Sequence, residues 1–146
     1  MIIFEKRFIE QLYREAQEQY PNECCGILLG LAAADGERIV LQVRPAANMS
    51  PEGEKQKHFR IPSEMILEAE RSAALNGYEI IGFYHSHPDC EAVPSELDAD
   101  YAIEGLSYPI ISVRKGKVKE VHSWEMTSKE DDRYFRKECI EIRDRK

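Results

Sequence analysis

Two histidines stand two residues apart in Tyr84-His85-Ser86-His87-Pro88, and an aspartate follows eleven residues after the second, in Ser95-Glu96-Leu97-Asp98. Imidazole and carboxylate are ligand types that hold zinc. Three protein ligands with a fourth position left for water describe a catalytic site rather than a structural one. Zinc lowers the pKa of such a water toward about 7, which makes a nucleophile available at neutral pH. The chemistry expected of His85, His87 and Asp98 is therefore metal-assisted hydrolysis, although the same ligands would also accept iron, cobalt or manganese. The water needs a base, and Glu23, in Pro21-Asn22-Glu23-Cys24-Cys25-Gly26, is the best candidate. Ser95 could donate a hydrogen bond to the developing oxyanion. Each residue also has a plainer role. Ser95 and Asp98 fit a helix N-cap with an acid at the third helical position, where Asp98 would bond backbone alone. Glu23 by itself reads as an exposed acid near a helix end, and the two histidines by themselves as surface or core residues.

Positions i and i+2 of a strand point to one face, so a strand ending at the histidines would aim both at one ion. Residues 79–84, with Ile80, Ile81 and Phe83, predict that strand, central in its sheet, with the histidines directly after it. Pro94-Ser95 opens a short helix to about Gly105, whose first turn can fold Asp98 back over the strand end. Pro88 and Pro94 stiffen the loop between the ligands. Upstream, Phe4, Phe8, Ile9, Leu12, Tyr13 and Ala16 predict a helix over 4–20, stopped by Pro21-Asn22. Strands at 25–31 and 38–44 form a hairpin about Asp35-Gly36. Residues 48–57 read as a polar, flexible loop. Pro62-Ser63 opens a second helix, striped by Met65, Ile66, Ala69 and Ala73 and closed by Asn76-Gly77. Strands follow at 108–113 and 117–125. The tail from Lys129 suits a helix or a strand, and a short edge strand at 138–143 is the reading taken. No repeat or long linker divides the chain, so one domain, 1–146, is expected. The element order implies a layered α/β fold of the α+β kind, a mixed and largely antiparallel sheet flanked by helices.

Composition narrows the function classes. Of 146 residues, 42% are hydrophobic and 32% charged, as in a soluble globule. The net charge of −7 argues against nucleic acid or an anionic membrane as the main partner. Charges fall where a signal peptide would need its apolar run, and no apolar stretch reaches membrane-spanning length, so a cytoplasmic protein is expected. No Cys-x-x-Cys pair occurs, and adjacent Cys24 and Cys25 would bridge only with strain. Cys24, Cys25 and Cys139 read as reduced, partly buried thiols. Cys90, inside the ligand loop, is either a redox-sensitive bystander or a fourth ligand that shuts the site down.

His-Ser-His, seven residues, then Ser-x-x-Asp, with an upstream glutamate, resembles the JAMM motif of MPN-domain (Mov34/JAB-type) metalloproteases. The resemblance extends to residues 21–30, Phe59-Arg60-Ile61, Ile81-Gly82-Phe83-Tyr84 and Tyr108-Pro109-Ile110-Ile111-Ser112-Val113. It is stronger to compact bacterial-type members than to eukaryotic ones with inserted loops. It implies a cytidine-deaminase-like MPN/JAB fold with zinc held by His85, His87 and Asp98. It also implies Glu23 as general acid/base and Ser95 as stabiliser of the tetrahedral intermediate. The activity implied is cleavage of a peptide or isopeptide bond after the Gly-Gly terminus of a ubiquitin-like or sulfur-carrier protein. An extended Gly-Gly tail would lie in a narrow groove, walled by the 48–57 loop and the region around Ser86. The competing readings are a metal-binding MPN scaffold without turnover and a zinc amidase acting on a non-protein substrate.

Overall fold

A computed structural model describes residues 1–144. In chain order the elements are β1 (Ile2–Glu5), α1 (Lys6–Gln19), β2 (Cys25–Ala32), β3 (Arg38–Ala46), α2 (Ser63–Leu75) and β4 (Glu79–Pro88), followed by α3 (Glu96–Tyr101), β5 (Ser107–Arg114), β6 (Lys117–Lys129), β7 (Asp132–Glu138) and β8 (Ile140–Arg143). One eight-stranded sheet has the order β7-β6-β5-β4-β2-β3-β1-β8. The pairs β2–β3, β2–β4, β5–β6 and β6–β7 are antiparallel, while β1–β3, β1–β8 and β4–β5 are parallel. The expected mixed, largely antiparallel sheet is thus observed, with β4 at its centre and β2–β3 paired as a hairpin. β7 and β8 sit at opposite ends of the strand order, yet only Cys139 separates them, so the sheet curls until its edges meet. Arg38 ties that seam from inside, donating to Glu125 at 3.0 Å, Glu138 at 3.4 Å and Ser107 at 3.2 Å. None of the described helices is long and apolar enough to cross a membrane.

The two long helices take opposite faces of the sheet. Ile9, Leu12 and Ala16 of α1 pack with Phe4, Leu28, Val43, Ile81 and Tyr84. Ala69 and Ala73 of α2 pack with Ile27 and Leu29, joined by Phe83. The register of β4 on β2 shifts between the Leu29–Ile80 and Leu28–Gly82 pairs, and beyond that irregularity alternation gives Phe83 to the α2 face and Tyr84 to the α1 face. His85 and His87 follow Phe83's parity, and Ser86 follows Tyr84's. Gly26 is where two elements approach too closely for a side chain: a Cβ there would lie 2.2 Å from Tyr84 Oη. Tyr84 in turn donates to Glu15 of α1 at 2.7 Å, which fixes the helix to the strand that carries the histidines.

Several boundaries differ from expectation. The helix expected from residue 4 begins at Lys6, because Phe4 belongs to β1, which pairs with β3 and β8. The third helix stops at Tyr101 rather than near Gly105, with Ala102 already extended. The strand expected to end at 125 runs to Lys129 and is followed by the unforeseen β7, while the expected edge strand corresponds to β8. Residues 52–57 form turns within the expected polar loop, and Asn48 bonds the Glu23 and His58 carbonyls. Cys24 and Cys25 are buried, which pushes both thiols up to about 12 and leaves them unreactive. Cys139 is exposed, contrary to the expected burial.

Candidate metal centre

The histidines lie within β4 rather than beyond it, since the strand continues to Pro88 and pairs with β5 through His87 and Pro88. Strand geometry turns both rings to one side. Their Nε2 atoms are 3.0 Å apart. Asp98 enters from the first turn of α3, with Oδ2 3.2 Å from His85 Nε2 and 3.3 Å from His87 Nε2. The three atoms form a nearly equilateral triangle. A tetrahedral ion bound at about 2.0–2.1 Å requires edges of about 3.3 Å, so these residues fit a zinc-sized cation.

The cap and ligand roles of Asp98 are not alternatives. Its Oδ2 accepts from the Ser95 backbone N–H at 2.8 Å, and Ser95 Oγ accepts from the Asp98 N–H at 3.1 Å, a complete capping box. The cap fixes the carboxylate, and the same oxygen faces both imidazoles. Ser95 itself is exposed, and accepting one bond leaves its O–H able to donate.

The histidines are held differently. His87 Nδ1 donates to the Glu91 carbonyl at 2.9 Å, which places a proton on Nδ1 and directs the Nε2 lone pair to the triangle when the ring is neutral. His85 is stacked by Phe59, with ring centroids 4.5 Å apart and planes inclined by 24°. Burial pushes His85 below the ordinary imidazole range. For His87 burial acts in the same direction, but bonding to Asp98 and the Glu91 carbonyl outweighs it and the pKa rises. Asp98 is held well below the usual carboxylate range, because the histidine hydrogen bonds overcome the cost of its burial. Two imidazole nitrogens and a carboxylate oxygen converging so closely favour a cation between them.

Glu23 is not the exposed acid of the plainer reading. It is 4% exposed, and its ligand atom lies within 4.8 Å of those of both histidines. Its Oε1 is buried without a hydrogen-bond partner among the described residues. Burial pushes the carboxyl up to about 8, with His87 opposing and Asp98 adding to the rise. A desolvated carboxyl beside convergent ligand atoms is the kind of group that can exchange a proton there. The segment after Pro21 carries it in, held by a Glu23 N–H bond to the Lys55 carbonyl at 2.7 Å.

The loop between the ligands is stapled along its length. Asp89 adopts a positive φ of 56° and accepts from Tyr20 Oη at 2.7 Å and the Lys115 N–H at 2.9 Å. Trp124 Nε1 donates to the Ala92 carbonyl at 3.0 Å. Cys90 is exposed. Ser86 is fully buried, with Oγ accepting from the Cys24 N–H at 2.8 Å. Asn48 and Phe59 are the residues bonded or stacked against the site that spacing did not single out. Phe59 lay within the resembling segments without a role, and Asn48 offered only a polar side chain in a loop.

Fold and site together define a small α+β protein with a candidate metal centre, where Glu23, His85 and His87 form a group able to hold a cation and Asp98 converges on the two histidines. The chain belongs to the prokaryotic homologs of the JAB domain, whose family profile matches residues 5–127. It is 39% identical over 84 residues to a desampylase of Haloferax volcanii, covering 56% of this chain and 55% of that protein. It is 29% identical over 117 residues to tail tip assembly protein K of Escherichia phage N15, covering 80% of this chain and 43% of that protein. The chain thus spans about half the length of these two relatives. A CysO-cysteine peptidase of Mycobacterium bovis is 26% identical over 126 residues, covering 85% and 82%. Among solved structures, a protein of Desulfitobacterium hafniense matches with a TM-score of 0.82 at 31% identity, covering 99% of this chain and 94% of that one.

Proposed function

We propose that this protein is a zinc-dependent metallopeptidase or isopeptidase. It cleaves the bond that follows the Gly-Gly terminus of a ubiquitin-like or sulfur-carrier protein. The observation that carries the reading is the convergence of His85, His87 and Asp98 to 3.0–3.3 Å, with the buried Glu23 carboxyl beside them. The similarity to a desampylase and to a CysO-cysteine peptidase supports it, the latter by naming a peptidase.

His85, His87 and Asp98 would hold the zinc. Bound there, it would activate water and polarise the scissile carbonyl. Glu23 takes the proton from the attacking water and passes it to the leaving amine. A neighbouring dication favours the ionised form and so opposes the burial that raises Glu23, which leaves a base able to act near neutral pH. Ser95 donates its O–H to the developing oxyanion while the capping box holds it in place. Phe59 and the buried β2–β4 strands keep the histidine side of the site dry, which strengthens each of these charge interactions.

The test is product analysis. A carrier ending in Gly-Gly and extended by a short C-terminal peptide is incubated with the zinc-loaded protein, and the products are weighed by mass spectrometry. Release of the carrier at Gly-Gly, lost on chelation and in Glu23→Gln, is expected. An uncut carrier alongside ready cleavage of unrelated short peptides would overturn the substrate class. Intact carrier and peptides, with a non-protein amide hydrolysed, would favour the amidase.

A further inference from the structure

We propose that Asn48 is the positioning residue of this site, its single amide group fixing both the base Glu23 and the aromatic cover of His85. The inference rests on the reading of Glu23 as the base. His85 and Glu23 share a peculiarity: each has a buried polar side-chain atom, Nδ1 and Oε1 respectively, with no hydrogen-bond partner among the described residues. A metal-ligating histidine is ordinarily oriented by a hydrogen bond from its second nitrogen, as His87 is through Glu91. His85 has the Phe59 ring against it instead. Glu23 makes no side-chain bond through Oε1, so the place of its carboxylate depends on how its backbone is tied.

Both ties lead to Asn48. Its Nδ2 donates to the Glu23 carbonyl at 3.1 Å and to the His58 carbonyl at 2.9 Å, with the Lys55 carbonyl at 3.5 Å. Its Oδ1 accepts from the Ser50 N–H at 3.0 Å and the Arg60 N–H at 3.2 Å. His58 and Arg60 flank Phe59, so one side chain grips the backbone on both sides of the stacking ring. Lys55 belongs to the same loop and accepts from the Glu23 N–H at 2.7 Å. Only a short amide serves this geometry, because the nitrogen end faces carbonyls and the oxygen end faces N–H groups. An aspartate would keep the two accepted bonds and lose the donated ones, placing charge against carbonyl oxygens. An alanine would lose both sets.

The pair Asn48→Asp and Asn48→Ala separates the two halves. Three quantities are read: amide hydrogen exchange at Glu23 in the metal-free protein, the visible absorption of the cobalt(II)-loaded protein, and kcat and KM on the Gly-Gly carrier fusion. Protection at Leu28 and Ile81 reports whether the core is intact. In Asn48→Ala, Glu23 exchange is expected to quicken by about tenfold or more while core protection holds. Its cobalt band should change as His85 loses its cover. Its kcat should fall by about 10–100-fold, with KM moving much less. In Asn48→Asp the Arg60 tie survives and the His58 tie is lost, so the cobalt band should change less than in the alanine variant, while Glu23 exchange and kcat change as in the alanine variant. Wild-type exchange and an unchanged cobalt band in Asn48→Ala would overturn the proposal. So would lost turnover accompanied by lost protection throughout the core, since that is a folding defect. If the wild-type protein leaves the fusion uncut, the hydrolase reading fails, and exchange with the cobalt band still decides whether Asn48 places Glu23 and His85.

Discussion

Replacing Glu23 by glutamine should make the metal-free protein more stable and the zinc-loaded protein inactive. The carboxyl, ordinarily near 4.5, is pushed up to about 8 by burial. A carboxyl raised in the folded state binds its proton more tightly there than in the unfolded chain. Well below pH 4.5 both states keep the proton and the group leaves stability unchanged. The cost of ionising it grows from about pH 4.5 to about pH 8, then levels off. At pH 7, two and a half pH units above the unfolded value, it is about 3 kcal/mol. Glutamine keeps the volume and carries no charge. Metal-free Glu23→Gln should gain up to about 3 kcal/mol at pH 7, or about 6–12 °C in Tm for a chain of this length. The figure is an upper bound, because a buried amide also loses its water. Near pH 4 the two proteins should melt together. Zinc should narrow the gap at pH 7, since a dication favours the carboxylate of the wild type. Turnover moves the other way, falling by about 10²–10⁴ without its base. Calorimetry from pH 4 to 8, with and without zinc, together with the fusion assay, reads all of this. Identical melting at every pH and turnover within about threefold of wild type would refute both the burial argument and the base assignment.

Ser95→Ala should retain zinc, lose about 1 kcal/mol through the capping box, and lose about 10²-fold in kcat; unchanged kcat would leave Ser95 with its cap alone. Gly26→Ala forces a methyl group into the Tyr84 ring, and a loss of about 1–3 kcal/mol or more, seen as a lower urea midpoint, is expected. Glu15 offers a second pH test. Burial pushes it up to about 7, Tyr84's hydrogen bond opposes and Glu18 adds, so its ionisation cost grows from about pH 4.5 to 7. Glu15→Gln keeps an acceptor for Tyr84 and should raise Tm at pH 8 but not at pH 4; an equal shift at both would contradict the charge argument.

Much of the site was legible because its chemistry is local. His85 and His87 share a face by strand parity, and Ser95 and Asp98 share a helical turn, so spacing predicted both geometries. The cap and the ligand looked like rivals because sequence cannot show that one carboxylate oxygen faces a backbone N–H and two imidazoles together. The burial of Glu23 was also hidden, since it arises from the fold of the 48–58 segment over it, a contact between distant residues. Fold elements divided in the same way. The hairpin and α2 carried their own turn and periodicity signals. β1 did not, because Phe4 matches the helical stripe of α1 and its strand character comes from parallel pairing with β3 and β8. β7 is charged along most of its length and becomes a strand only by pairing with β6.

The most direct test of the account is zinc content by elemental analysis of the wild type and Asp98→Ala, purified without added metal. The account predicts about one zinc per wild-type chain and little in the variant. Equal zinc in both proteins would contradict it, returning Asp98 to its cap and leaving the histidines without their third ligand.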